Sequence, residues 1–233
     1  MHDTDDIPPP HLSIIVPMLN EAGALGELLA DLLPCQRRGC QVILVDGGSQ
    51  DGSPHMARCA GFTVLDAPRG RARQMNVGAA AATGEVLLFL HADTRLPADA
   101  DALIAQAMQD CGRAWGRFDV RITGRPLMLK VVARMVNLRS RLSGIATGDQ
   151  AMFVCARSFA QVGGFPDQPL MEDVELSRRL KRLSRPACLT TRVITSGRRW
   201  ESRGVWRTIV LMWRLRLAYW LGVAPDQLAK AYR

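Results

Sequence analysis

Residues 86–90, Val-Leu-Leu-Phe-Leu, form an unbroken apolar run that ends in His91-Ala92-Asp93-Thr94. Such a run without polar alternation predicts a strand covered on both faces, the environment of a central strand in a parallel sheet. Parallel strands need crossover helices, so the chain around this run must alternate strand with helix. The carboxyl ends of those strands would form the edge where open α/β sheets bind ligands. A carboxylate and an imidazole at that edge suit a metal and a phosphate. The other reading of Asp93-Thr94 is a cap on the following helix.

The alternation is there. Leu12–Pro17, Val42–Asp46 and Phe62–Leu65 read as strands. Helices follow from about Glu21 to Leu33, stopped by Pro34, from the turn GGSQDGS to Ala60, and from Arg71 to Ala82. After Pro97 the rhythm changes to a helix from Ala98 to Gln109, a strand Trp115–Thr123, a basic amphipathic helix from Pro126 to Leu142, and a strand Gln150–Cys155. The expectation is an α/β fold: a mostly parallel central sheet with helices on both faces and a smaller α+β lobe. Residues 12–96 would form the first lobe and 97–233 the second, within one compact domain. Residues 1–11, acidic and then proline-rich, read as a disordered tail.

Composition narrows the partners. The net charge is +8, and only three of the 30 basic residues are lysine. Arginine suits bidentate contact with phosphate and carboxylate. The arginines are dispersed and match no nucleic-acid-binding motif, so nucleic acid is not expected. Cys35, Cys40, Cys59, Cys111, Cys155 and Cys188 show no paired or metal-binding spacing, which fits a reduced, cytoplasmic setting. No apolar run is long enough to span a membrane. The segment Val205–Leu221 carries three of the five tryptophans and is interrupted by Arg207, Arg214 and Arg216. It reads as a packed C-terminal helix, a homodimer face or a peripheral membrane contact.

Four features fall on the proposed sheet edge: Pro17-Met-Leu-Asn20-Glu21, the turn that starts at Asp46, Gly70-Arg71-Ala-Arg73-Gln-Met-Asn76, and His91-Ala-Asp93. Glycine turns let a ligand approach the backbone, and helix amino termini attract phosphate. In order, SIIVPMLNE, VDGGSQDGS, GRARQMNVGA, FLHADT, GGFP and MEDVELSRRL resemble the family 2 glycosyltransferases of the GT-A fold, from Leu12 to about Leu183. GRARQMN, FLHADT, WGRFDV, TGDQAMFV, PLMEDVELSRRL and TSGRRWESRG further resemble a small bacterial selenium-associated subgroup. That subgroup includes selenosugar synthases and so-called arsenosugar glycosyltransferases.

The resemblance implies a UDP-sugar donor such as UDP-GlcNAc or UDP-glucose, a divalent metal (Mg²⁺ or Mn²⁺), and selenophosphate as a small anionic acceptor that gains a carbon–selenium bond. It implies that Pro17, Leu19, Asn20 and Glu21 line the nucleoside pocket, and that Asp46, in its turn with Gly47 and Ser49, sits by the base. Arg71 and Arg73 would reach uracil or diphosphate, with Asn76 in the same motif. His91-Ala92-Asp93 stands where the family has Asp-x-Asp, which makes Asp93 and His91 the metal ligands. Glu172-Asp173 matches the "ED" position, with Asp173 as general base. The other reading of Asp173 is a cap on a helix Val174–Leu183.

Residue chemistry adds candidates for the acceptor or diphosphate. Arg117 and Arg121 share a strand face by spacing, Arg198 and Arg199 precede Trp200, and Asp149 and Gln150 follow the Gly148 turn. Two other functions stay open: transfer to a hydroxyl or lipid-linked acceptor, and a catalytically inactive nucleotide-sugar-binding or membrane-peripheral protein.

Overall fold

The computed structural model describes residues 12–232, without the side chains of 110 and 111. The tail reading for residues 1–11 lies outside the described residues. In chain order the first half runs β1 (Leu12–Met18), α1 (Ala22–Arg37), β2 (Gln41–Asp46), α2 (Ser53–Cys59), β3 (Thr63–Asp66), α3 (Arg71–Ala81), β4 (Val86–Phe89) and β5 (Thr94–Arg95). The second half runs α4 (Ala100–Cys111), β6 (Trp115–Thr123), α5 (Met128–Ser143), a 3₁₀ turn (Gly148–Gln150), β7 (Met152–Cys155), α6 (Ala156–Gln161), α7 (Glu172–Leu180), β8 (Ala187–Ser196), α8 (Arg198–Arg203), α9 (Val205–Trp220) and α10 (Pro225–Tyr232).

All strands join one sheet in the order β3-β2-β1-β4-β7-β6-β8-β5. The β3-β2-β1-β4 side is parallel, β7 is antiparallel to both its neighbours, and β8 lies parallel to β6. Alternate residues of the central strands feed two cores. Ile14, Val16, Val42, Leu44 and Leu88 meet α1, α4 and α5 on one face. Ile15, Ile43, Val45, Leu87 and Phe89 meet α3, α6 and α7 on the other. Both sides of each strand are filled, which is why these strands read as continuous apolar runs. Helix α3 lies close on the sheet because Gly78 has no side chain: a methyl group there would come within 2.4 Å of Ile15 Cγ2.

Some expectations are corrected. Helix α1 continues through Pro34, which loses one ladder hydrogen bond, because Leu32 and Cys35 on either side are buried against the sheet. The strand β8 was not expected, although Thr190-Thr191-Arg192-Val193-Ile194-Thr195 is rich in β-branched residues. Its neighbour β5 follows from it, since Thr94-Arg95 pairs only with β8.

Candidate active site

Parallel β1, β2 and β4 deliver their ends to one edge: Met18 registers with Asp46, and the Leu90 N–H donates to the Ile15 carbonyl. The loops after β1 and β2 are tied together by four hydrogen bonds. The N–H groups of Asn20, Glu21, Ala22 and Gln50 donate to Ser49 Oγ, Ser53 Oγ, Asp51 Oδ2 and Asn20 Oδ1 at 2.8, 3.0, 2.8 and 2.8 Å. Asp46 is 5% exposed. Its Oδ2 accepts from the N–H groups of Gly48 and Ser49, both at 2.9 Å, while Oδ1 has no partner. A buried carboxylate oxygen left unpaired carries a desolvation cost that a ligand's N–H would relieve. Gln74, absent from the expected set, braces this corner by donating from Nε2 to the carbonyls of Met18 and Val45 at 2.8 Å.

Helix α7 opens with Glu172-Asp173, one residue after Met171 at a left-handed φ of 65°. Asp173 lies inside the helix instead of capping it. Its Oδ2 accepts from the Gly148 N–H at 2.8 Å and its Oδ1 from the Val174 N–H at 2.7 Å, which joins α7 to the 3₁₀ turn. The other non-glycine residues with left-handed φ among those described are Asn20 and Ala151, next to Glu21 and Gln150. All three strained positions therefore border the site. A small cavity here is lined by Met75, Phe89, His91, Gly148, Met152, Phe165, Glu172 and Asp173. The His91 ring packs flush on Gly148, where a methyl group would come 2.3 Å from Nε2. Burial, then Arg71, lower its pKa well below the usual histidine value, so the imidazole is neutral.

Two sets of arginines flank the carboxylates. Arg71, at the start of α3, acts electrostatically on Glu21, His91 and Glu172. Arg198 faces Glu21, and Arg199 feels Arg71 and Asp93. These groups gather at the sheet edge with two carboxylates that repel each other: burial, then Asp93, raise the pKa of Glu21. The second set is Arg139 on α5 and Arg216 on α9, neither in the expected set. Arg139 Nε and Nη2 are buried with no partner. Burial, then Arg216, lower its pKa to about 10, against the opposing influence of Asp149 and Asp173. The sequence carries little signal for this pair, because basic residues on helices usually mark a solvated face.

Several expected site residues are engaged elsewhere. Arg73 forms an exposed bidentate pair with Asp167, Nε to Oδ1 at 2.7 Å, so it braces the loop after Phe165. Asn76 uses both amide groups on the backbone of Phe165, at 2.8 and 3.0 Å. Arg117 is fully buried, and its charge is met by Asp119, which also holds Arg141 at 2.8 Å. Arg121 lies beyond a register shift in β6 and is exposed, so the two do not form one clamp. Gln150 is fully buried and its Oε1 accepts from the Thr147 N–H at 3.2 Å. Ala92 belongs to the core, and the half-buried Trp200 packs against it. Asn20 and Ser49 hold each other, which makes them loop braces first. Pro17 is buried, Leu19 half-buried, and Gly47 lies against Gln74.

Glu172 is 7% exposed, and burial, then Asp173, raise its pKa to about 7. Burial also raises Asp173. Two N–H donors favour charge on Asp173, so Glu172 holds the pair's proton. A carboxyl raised in the folded state stabilises fully below its unfolded pKa near 4.5 and loses that contribution as pH climbs through about 7. Glu172→Gln is therefore expected to raise Tm at pH 8 by on the order of 5 °C and to leave it nearly unchanged at pH 5. Thermal unfolding of both proteins at the two pH values checks this; equal shifts at both would contradict it.

Solved structures share this architecture. The mannosyltransferase PcManGT from Pyrobaculum calidifontis, in complex with GDP-Man and Mn²⁺, superposes with a TM-score of 0.65 at 22% identity over 96% of this chain and 69% of its own. S. aureus TarS 1-349 in complex with UDP-GlcNAc gives 0.64 at 17% identity, over 80% of this chain and 58% of its own. Mycobacterium tuberculosis glucosyl-3-phosphoglycerate synthase, with Mn²⁺, UDP and glucosyl-3-phosphoglycerate, gives 0.58 at 17% identity, over 80% and 71%. At these identities the likeness is one of fold, GT-A. No curated protein matches the chain. The profile of Glycosyl transferase family 2 matches residues 13–162, the stretch that contains Asp46, Arg71, His91 and Asp93, and the chain belongs to that family.

Proposed function

We propose that this glycosyltransferase moves a sugar from a UDP-sugar to a small multiply charged anion, selenophosphate, and makes a carbon–selenium bond. The observation that carries the acceptor class is the guanidinium of Arg139, whose Nε and Nη2 are buried without a partner, within electrostatic reach of Asp173. A buried cation without a partner is costly unless an anion joins it, and the carboxylate pair marks where transfer occurs.

In this reading the unpaired Asp46 Oδ1 accepts from uracil N3–H. Arg71, Arg198 and Arg199 face the diphosphate. Arg139 and Arg216 hold the acceptor's phosphate oxygens. Selenium, deprotonated and polarizable, attacks the anomeric carbon, and the bond to the UDP oxygen breaks with its electron pair leaving on UDP. No proton has to be removed. Among the described residues no three His, Cys, Asp or Glu side chains converge as a metal cage. A single exposed carboxylate, Asp93, fits a magnesium- or manganese-type ion that takes its remaining ligands from diphosphate and water. In this reading Asp93 is the ligand, while the His91 ring packs on Gly148. Such an ion supplies charge neutralisation on the departing UDP.

The test is a mass-spectrometric assay with UDP-GlcNAc or UDP-glucose, Mn²⁺ and selenophosphate, with thiophosphate and phosphate as comparison acceptors. A selenium-bearing sugar is the expected product. Arg139→Leu is expected to raise the acceptor KM at least about tenfold with the donor KM unchanged. Sugar transfer to hydroxyl compounds alone would overturn the reading. That second reading, a hydroxyl or lipid-linked acceptor, is favoured by the exposed apolar face of α9.

A further inference from the structure

We propose that the outer face of α9 docks on an anionic lipid surface. The helix has two faces with different fates. Its inner face packs Leu215 against Met171 and Leu228, and Tyr219 Oη lies 3.4 Å from Glu175 Oε2 on α7. Its outer face carries Trp206, Val210, Trp213, Leu217 and Trp220, which are 67, 54, 70, 57 and 81% exposed. Steps of four and three residues put these five on one stripe. A groove of about 360 Å³ runs between Trp206, Arg207, Val210, Leu211 and Arg214.

The charges name the occupant. Helix α9 contains arginines at 207, 214 and 216 and no acidic residue. Helix α5 repeats the pattern: Leu127, at its start, and Val131, Met135 and Leu138 are 76, 47, 52 and 51% exposed beside exposed Lys130 and Arg134, and the helix has no acid. Both helices rest on the same core: Val205 and Ile209 of α9 pack against the cluster that contains Leu129 and Val132 of α5. A second copy seated on this face would set arginine against arginine with no carboxylate on either helix to offset them. An anionic bilayer supplies both missing partners, negative headgroups for the arginines and an acyl boundary for the tryptophans. No helix among the described residues is long and apolar enough to cross a membrane, so the contact is one of lying on the surface. Docking also steadies the helix that carries Arg216, which acts on Asp173.

The experiment is co-sedimentation of the full chain with vesicles of phosphatidylcholine alone and of phosphatidylcholine mixed with phosphatidylglycerol. The expected result is binding to the mixed vesicles, little to the neutral ones, and a blue shift of tryptophan emission. Trp213→Ser with Trp220→Ser, and separately Arg207→Glu with Arg214→Glu, should each weaken binding at least about tenfold. These positions are exposed, so UDP affinity should stay at the wild-type value and report an intact fold. Equal binding to both vesicle types, or none to either, would overturn the proposal. So would a concentration-dependent dimer in sedimentation velocity that the same variants dissociate, which would assign the face to a second copy.

Discussion

Asp173→Asn is expected to lower transfer to a hydroxyl acceptor by about 10²–10⁴-fold and transfer to selenophosphate by less than about tenfold. The two acceptors differ in one physical respect. A hydroxyl oxygen must lose a proton as it attacks, and Asp173, held charged by two N–H donors, is the group proposed to take it. Selenium in selenophosphate is deprotonated before it binds, as a reactive thiolate is. The amide keeps an oxygen that can accept from the Gly148 N–H, so the 3₁₀ turn stays in place. Single-turnover kinetics with both acceptors would separate the roles, and equal losses would show that Asp173 acts through structure or charge alone.

Asp93→Ala is expected to reduce turnover at least about a hundredfold. Asp93 makes Glu21 costlier to ionise, with Arg71, Arg198 and Arg199 the nearby cations. Removing the exposed carboxylate leaves the diphosphate to the arginines and abolishes the advantage that a metal brings. The informative readout is UDP affinity with and without Mn²⁺: wild type should bind more tightly with the ion, and Asp93→Ala should bind equally in both. Chelator should silence the wild type, and Mn²⁺ or Mg²⁺ should restore it. Full activity in chelator would refute the assignment.

The parallel half of the sheet was legible because its signal is local. Val42–Val45 and Val86–Leu90 must be buried on both faces to be apolar without alternation, and only crossover helices can cover both faces. Asp46 and Asp93 were legible for the same reason, since the end of a parallel strand is a fixed address. Arg73, Asn76, Arg117 and Gln150 were not. Their motif positions suggested ligands; Arg73 and Asn76 meet Asp167 and Phe165 from a distant segment, and Arg117 and Gln150, beside their near neighbours Asp119 and Thr147, reach Asn137 on α5. Spacing reports which face of an element a residue occupies, and says nothing of what that face meets.

The sequence alone determined which residues stand at the carboxyl edge of the parallel strands, and that a carboxylate pair lies beside the start of a helix near Val174; the structure starts that helix at Glu172. Only the tertiary structure decided the charges. Arg139 and Arg216 lie 77 positions apart, one on a basic amphipathic helix and one on the tryptophan-rich C-terminal segment. Burial near Asp173 leaves Nε and Nη2 of Arg139 without a partner and makes its charge costly, because desolvation depends on what surrounds a group in space, and neighbours in sequence do not supply that. The same packing placed His91: its position in the Asp-x-Asp pattern is legible in the sequence, and only the fold shows its ring packed on Gly148, where a residue without a side chain leaves it room.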